Sequence, residues 1–507
     1  MRTQNSAKNV SVVLLNSILI NIFRFVSRTI FIKFLGEQYL GVNGILSNVL
    51  GILALADLGI GNAISFSLYK PLANKDEEKI KSLMMYYKRA YKIIGFIVLI
   101  SGLLLCPFLN FFVKDYNEIE GLNVYYLVFL FNMASGYFFS YKRTLIIADQ
   151  AEYKITPIIM IFNFLVTISQ ILVIVLFKSY LLYLLVQMVF TFVENIVINL
   201  YINRKYTYLK DRNVKKIDND ELKKIKLNVK GLIYHKLGTY FVDSTDNIII
   251  SKYLGLSIVG IYSNYFLIIN MLNSFITSML RSLTSSIGNV NAIENAQKKY
   301  EIFKSLNFLN FVIYSICSVC LFNLLNIFIG NVWLDKTFLL DKNIVIILSI
   351  IFYVNGFMYF NDIVKGAAGI FYKDKYVPII QSAINIVVSI VLAKSIGLLG
   401  VFIGTIMSTL FVMCIKPIII YKYIFESNVI NYYIDFLKKA LLTIFCALLS
   451  NRTISFFKIQ SPILYFLISG LSCVAISLFI ICIVYCKKPE FNDIIKRVRK
   501  MVKGVKK

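Results

Sequence analysis

The chain has 507 residues, is 58% hydrophobic, and contains only seven prolines and one histidine. Apolar runs of about twenty residues recur from end to end, each long enough to cross roughly 30 Å of hydrocarbon as a helix, which excludes a soluble multidomain protein. The formal charge of +27 does not mark a nucleic-acid binder, because Lys and Arg gather between the apolar runs and at the C-terminus rather than on a polar domain.

Hydropathy predicts spans near residues 9–35, 41–68, 89–113, 122–142, 155–177, 180–202, 231–254, 257–286, 303–330, 343–362, 377–394, 397–421, 434–451 and 461–485. No signal-peptide cleavage pattern follows the first span, so it is expected to remain as an uncleaved anchor. The fold class expected is an all-α polytopic membrane protein of about 14 transmembrane helices. Alternate loops are rich in Lys and Arg, among them 70–92, 142–154, 204–230 and 487–507, while the opposite loops are short and poor in positive charge. That asymmetry predicts both termini in the cytoplasm.

Cys317 and Cys320 have the spacing of a redox or metal pair, yet they sit in an apolar span with no charged or histidine neighbour. There cysteine acts as a small hydrophobe in helix packing.

The chain repeats itself. Lys33, Leu35, Gly36 and Gly41 recur 219 positions later as Lys252, Leu254, Gly255 and Gly260. The same shift lays the polar segment 74–81 on Asn295, Lys298 and Lys299, and a shift near 221 lays Pro157 on Pro378. Six spans per repeat is an even number, so the sequence predicts two parallel, pseudo-symmetric six-helix bundles plus a C-terminal helix pair. The expected domains are 1–202, a cytoplasmic linker 203–230, 231–423, the extra pair 424–486, and a basic amphipathic tail 487–507. Parallel halves of this kind point to a transporter.

Charge inside a bilayer is costly and should face a cavity or a partner. In span 1, Ser17, Asn21, Arg24 and Arg28 follow at steps of four, three and four, one face of a helix. Their repeat equivalents in span 7 are Lys236, Tyr240, Asp243 and Asn247, with His235 and Asp246 beside them. Span 2 adds Asp57 and Asn62, and span 8 adds Arg281. The candidate binding groups are therefore Asn21, Arg24, Arg28, Asn62, Lys236 and Arg281. Asp57, Asp243 and Asp246 are candidates for ion coupling or pairing, and are the carboxylates expected to lie deep enough to respond to an ion. Plainer readings stand beside these. Arg28 and Arg281 could snorkel from their helix ends, and the aspartates could serve only to neutralise arginines. A lone histidine builds no metal site, and no P-loop or metal-ligand cluster is present.

Outside the spans, acidic residues at 76–78 precede Ile80 and Leu83 as a helix start prefers. The tail sets Phe491, Ile494, Ile495, Val498, Met501, Val502 and Val505 against Lys and Arg, the pattern of an interfacial helix on an anionic leaflet.

Three segments carry a family resemblance: Ala54-Leu-Ala-Asp-Leu-Gly-Ile-Gly-Asn62, Lys142–Gln150 and Thr245–Asn264. Together with the repeat and the span count, the chain resembles the polysaccharide flippases of the MOP superfamily, which also holds MATE drug exporters and lipid II flippases. The resemblance implies translocation of an undecaprenyl-diphosphate-linked oligosaccharide from the inner to the outer leaflet of a bacterial cell membrane. It implies that basic residues hold the diphosphate, with Arg24, Arg28 and Arg281 in comparable places, and it implies partners among polysaccharide assembly proteins. Arginine suits that task, since its planar, permanently charged fork matches phosphate oxygens. Asp243 makes the cavity less uniformly basic. No cofactor is expected, and coupling to Na⁺, H⁺ or membrane potential stays open. The alternative within the same architecture is a MATE-like cation-coupled drug antiporter, whose cavity should be dominated by carboxylates. A membrane glycosyltransferase or polymerase ranks below both, because every external loop is short.

Overall fold

The computed structural model describes residues 23, 25–57, 60–114, 116–149, 151–211, 214–215, 217–218, 222–223, 225, 245–281, 295–368, 374 and 376–504. Among them eleven helices are long and apolar enough to cross a membrane. The chain divides into two compact units, residues 1–260 and 261–507.

In the first unit, α1 (residues 25–35) stops at Gly36, whose φ of 84° is a glycine conformation, and α2 (Glu37–Ala54) begins at once. The expected continuous span 41–68 is instead interrupted. A 3₁₀ turn at Leu55–Asp57 follows α2, and α3 (Ile60–Asn74) restarts the helix with Pro71 inside it. Then come α4 (Glu77–Leu105), α5 (Leu122–Ala148), α6 (Thr156–Phe177) and α7 (Tyr180–Lys205). The expected helix start before Ile80 is the first turn of α4 itself, which begins well ahead of the span read from hydropathy. The unit ends with α8 (residues 245–253) and the first turn of α9 (Leu256–Arg281), separated by Gly255 at φ 104°.

The second unit contains the remainder of α9, then α10 (Ala296–Ile327), α11 (Lys342–Ala367), α12 (Val377–Ile396) and α13 (Leu398–Ile420). Two further helices, α14 (Ile430–Ile454) and α15 (Pro462–Tyr485), precede the tail helix α16 (Pro489–Gly504).

The repeat is written into the helix starts. Asp76 accepts a hydrogen bond from the Lys79 amide at 3.0 Å to cap α4. Asn295, its repeat equivalent, accepts from the Lys298 amide at 2.9 Å to cap α10. Each side-chain cap satisfies one of the orphan donors of a helix N-terminus. Pro157 and Pro378 both sit in a first turn, where a missing amide costs nothing. α4, α5 and α7 pack in succession with α6 on α7, and α10, α11 and α13 do so with α12 on α13.

Both units turn large apolar side chains outward, as a soluble fold does not. Leu104 and Leu176 are each 69% exposed, and Leu471 71%. Within, helices are joined by small residues and amide or hydroxyl bonds, as where lipid supplies no hydrophobic drive. Gly404 leaves room for Ser389, whose hydroxyl donates to the Val401 carbonyl at 3.0 Å. The extra pair is fixed to α10 in the same manner: Ser315 and Thr443 share a 2.8 Å hydrogen bond, and Asn451 donates to Asn323 at 3.0 Å. Cys320 lies against Cys473 in this contact, as packing residues. The tail helix does form, and Phe491 packs on Phe308 of α10 with ring centroids 6.2 Å apart.

After α7 the chain folds back on the start of α4. Lys81 pairs with Asp211 and Lys215 with Glu78, at 2.9 and 2.8 Å, and the Ser82 hydroxyl donates to the Lys215 carbonyl at 2.6 Å. The Glu78 hydrogen bond raises the Lys215 ammonium. Burial raises the Tyr206 phenol, which also bonds Asp149, and pushes Tyr208 up to about 12.

Candidate functional site

Nine residues carried the sequence-based expectation. Asn21, Arg24, Lys236 and Asp243 lie outside the described residues, as does His235. Asn62 is on α3 and Arg281 ends α9, with side chains outside the description. Arg28, Asp57 and Asp246 are described, all in the first unit.

Arg28 is half-buried on α1, beside Tyr183 of α7. A guanidinium held among transmembrane helices is a fixed positive fork in an apolar surrounding, the arrangement that suits a phosphate. Asp57 closes the 3₁₀ turn at the interruption between α2 and α3. Its carboxylate lies near the hydroxyls of Tyr91 and Tyr87 on α4 and of Tyr137 on α5. Tyr87 in turn shares a 3.1 Å hydrogen bond with Thr144. Gly61 makes room for this cluster, since a Cβ there would stand 2.8 Å from the Tyr87 hydroxyl and 2.9 Å from that of Tyr91. Asp246 is buried in the first turn of α8, next to Asn247. Asn247 is the repeat equivalent of Arg28.

Charged pairs not anticipated from sequence also lie within the helices. In the first unit Arg143 of α5 pairs with Glu194 of α7 at 2.7 Å. In the second, Lys416 of α13 pairs with Asp362 of α11 at 2.7 Å, while Lys365 bridges Asp362 at 3.3 Å and the fully buried Asp374. Lys439 pairs with Asp435 at 2.6 Å and stands over the Phe311 ring. Beside the expected Asp57, Asp243 and Asp246, Glu194 and Asp362 also stand on apolar helices long enough to span, each neutralised by a partner. A lone carboxylate in an apolar run was the signal, and its partner on another helix was not visible.

At the opposite end of α7, Phe31, Tyr39, Tyr125, Tyr180 and Tyr183 gather into one aromatic cluster. Spread over four sequence segments, it has no local signature. No group of three or more His, Cys, Asp or Glu that could hold a metal ion exists among the described residues.

Charged groups paired between apolar helices that turn leucine outward make this a multi-pass membrane protein, and its fold is that of the MOP transporters. The lipid II flippase MurJ in an inward closed conformation is similar, with a TM-score of 0.64 and 14% identity over 93% of this chain and 98% of that one. An inward-facing multidrug resistance MATE transporter matches at 0.59, with 15% identity over 80% and 96%. A mutant of the Vibrio cholerae MATE transporter VcmN also matches at 0.59, with 13% identity over 84% and 98%. No curated protein matches the sequence. The family model described as polysaccharide biosynthesis protein matches residues 6–284, more than half the chain. The chain belongs to that family.

Proposed function

We propose that the protein is a flippase that carries an undecaprenyl-diphosphate-linked oligosaccharide from the inner to the outer leaflet, by alternating access between its two six-helix halves. Arg28 carries this reading: an arginine held among membrane helices, in a chain of the polysaccharide biosynthesis family, is matched to a lipid diphosphate rather than to a cation. Arg24 and Asn21, four and seven residues before it in sequence, would extend the anion site, with Asn62, Lys236 and Arg281 contributing further polar groups. Asp57, beside tyrosine hydroxyls of α4 and α5, is the described carboxylate best suited to respond to Na⁺ or H⁺, with Asp246 and, outside the described residues, Asp243 as the further candidates. The basic tail would rest on anionic lipid, with both termini in the cytoplasm, and assembly proteins would supply and consume the substrate.

The MATE-like antiporter is the second reading, favoured by the fold it shares with multidrug transporters. Deletion separates the two. A flippase mutant accumulates lipid-linked oligosaccharide on the inner leaflet, seen by mass spectrometry of extracted lipids. Drug sensitivity without accumulation supports the antiporter.

A further inference from the structure

Tyr180 stands at the centre of the aromatic cluster of the first unit. Its ring lies 5.0 Å from Tyr39, 4.9 Å from Tyr125, 5.9 Å from Phe31 and 6.0 Å from Tyr183, the last stacked. Four helix ends meet there: the last turns of α1 and the first turns of α2, α5 and α7. Tyr180 is 2% exposed, and its hydroxyl finds no hydrogen-bond partner among the described residues. Tyr39, Tyr125 and Tyr183 keep part of their surface open. Arg28 stands beside Tyr183, one turn before Phe31.

The repeat shows what this fold needs at these places. Lys178 and Gly397 are repeat equivalents, and both end a helix with positive φ, which fixes the register. In that register Phe31, Tyr39, Tyr125, Tyr180 and Tyr183 are replaced by Ile250, Ile258, Ile344, Leu399 and Phe402. All four hydroxyls vanish, and only one ring remains. The second repeat therefore does without tyrosine at these positions, and there the Phe402 ring packs on Tyr262 with centroids 4.9 Å apart. An interfacial belt does not account for Tyr180 either, since belt tyrosines face headgroups and Tyr180 is 2% exposed.

We infer that this cluster is a sugar-recognition box serving the lipid-linked substrate proposed above: Tyr39, Tyr125 and Tyr183 offer faces to a pyranose ring, next to the diphosphate at Arg28. A pyranose has an apolar C–H face and a rim of hydroxyls. A tyrosine offers a negative ring face to the first and a hydroxyl to the second. The Tyr180 hydroxyl, buried and without a partner among the described residues, gains one when the rings part around the sugar.

The test uses the full chain in nanodiscs, with undecaprenyl diphosphate, bare or carrying one N-acetylhexosamine, as probes. The wild type should bind the sugar-bearing lipid more tightly. Tyr39→Leu and Tyr125→Leu should weaken that binding about five- to tenfold and leave the bare lipid unaffected. Tyr180→Phe, which keeps every ring contact and so guards against misfolding, should weaken it in the same direction. Equal affinity of the wild type for both lipids, or tyrosine variants that change neither or both alike, would overturn the box while leaving the flippase reading intact. Failure of the wild type to bind either lipid would overturn both.

Discussion

Gly41 of α2 lies against the backbone of Leu256 in the first turn of α9, and Gly260 lies in the same way against Glu37. A Cβ on Gly41 would come within 3.1 Å of the Leu256 Cβ and closer still to its carbonyl; one on Gly260 would meet Glu37 at the same 3.1 Å. The repeat carries Gly41 to Gly260 and Glu37 to Leu256. The contact therefore maps onto itself, as an isologous interface does. Backbone and Cβ of Leu256 and Glu37 come so close only because the residue facing each is a glycine, the small-residue packing that membrane helices use in place of a hydrophobic drive.

Gly41→Ala and Gly260→Ala should each impair export and lower stability by about 1–3 kcal/mol, since backbone cannot move aside as a side chain can. Gly136, with open space around its Cα, is the control, and Gly136→Ala should be neutral. Melting curves in detergent and complementation of a deletion strain check this. A silent Gly41→Ala would show that the crossing gives way at no cost.

Arg143 and Glu194 in the first half correspond to Asp362 and Lys416 in the second, with the charges reversed. Asp362 is the repeat equivalent of Arg143, and Lys416 lies one helical turn beyond the equivalent of Glu194. The same helix pair is bridged with either polarity, so the bridge is structural. Glu194→Lys should destabilise the protein by setting like charges together, and adding Arg143→Asp should restore most of the loss. Thermal denaturation of both single variants and the double variant measures the coupling. A double variant no better than the worse single variant would contradict it.

Lys365 should be among the most sensitive lysines for folding. It is 6% exposed and pairs with both Asp362 and the wholly buried Asp374, so Lys365→Ala removes the shared cation of two carboxylates at a cost of about 3–5 kcal/mol. Lys215→Ala, on an exposed pair, should change stability by less than about 1 kcal/mol. Comparable melting points for the two variants would mean that Asp374 finds another partner.

The parts of this fold legible in sequence are those written locally. Asp76 and Asn295 at their caps, Pro157 and Pro378 in first turns, and Gly36 and Gly255 at positive φ all stand where the repeat put them. The 3₁₀ turn at Leu55–Asp57 was hidden because hydropathy averages over a window and the turn's single charge is flanked by apolar residues on both sides. The Arg143–Glu194 pair and the tyrosine box were hidden for another reason: each joins residues far apart in sequence, and single-helix periodicity carries no record of a partner on another helix. Arg28 was legible because a charge in an apolar run must be explained wherever it falls.

The central claim is that lipid-linked oligosaccharide crosses the membrane on this protein, held by its arginines. The most direct measurement reconstitutes the full chain in proteoliposomes with a labelled undecaprenyl-diphosphate oligosaccharide and follows label reaching an enzyme confined to one side. Wild-type protein should move the lipid. Arg24→Ala and Arg28→Ala should lose at least about tenfold in rate while inserting normally, and the lysine variants should recover only part, because a point charge lacks the bidentate fork. Lipid that stays in its leaflet with wild-type protein present, or that crosses equally fast in the arginine variants, would contradict it.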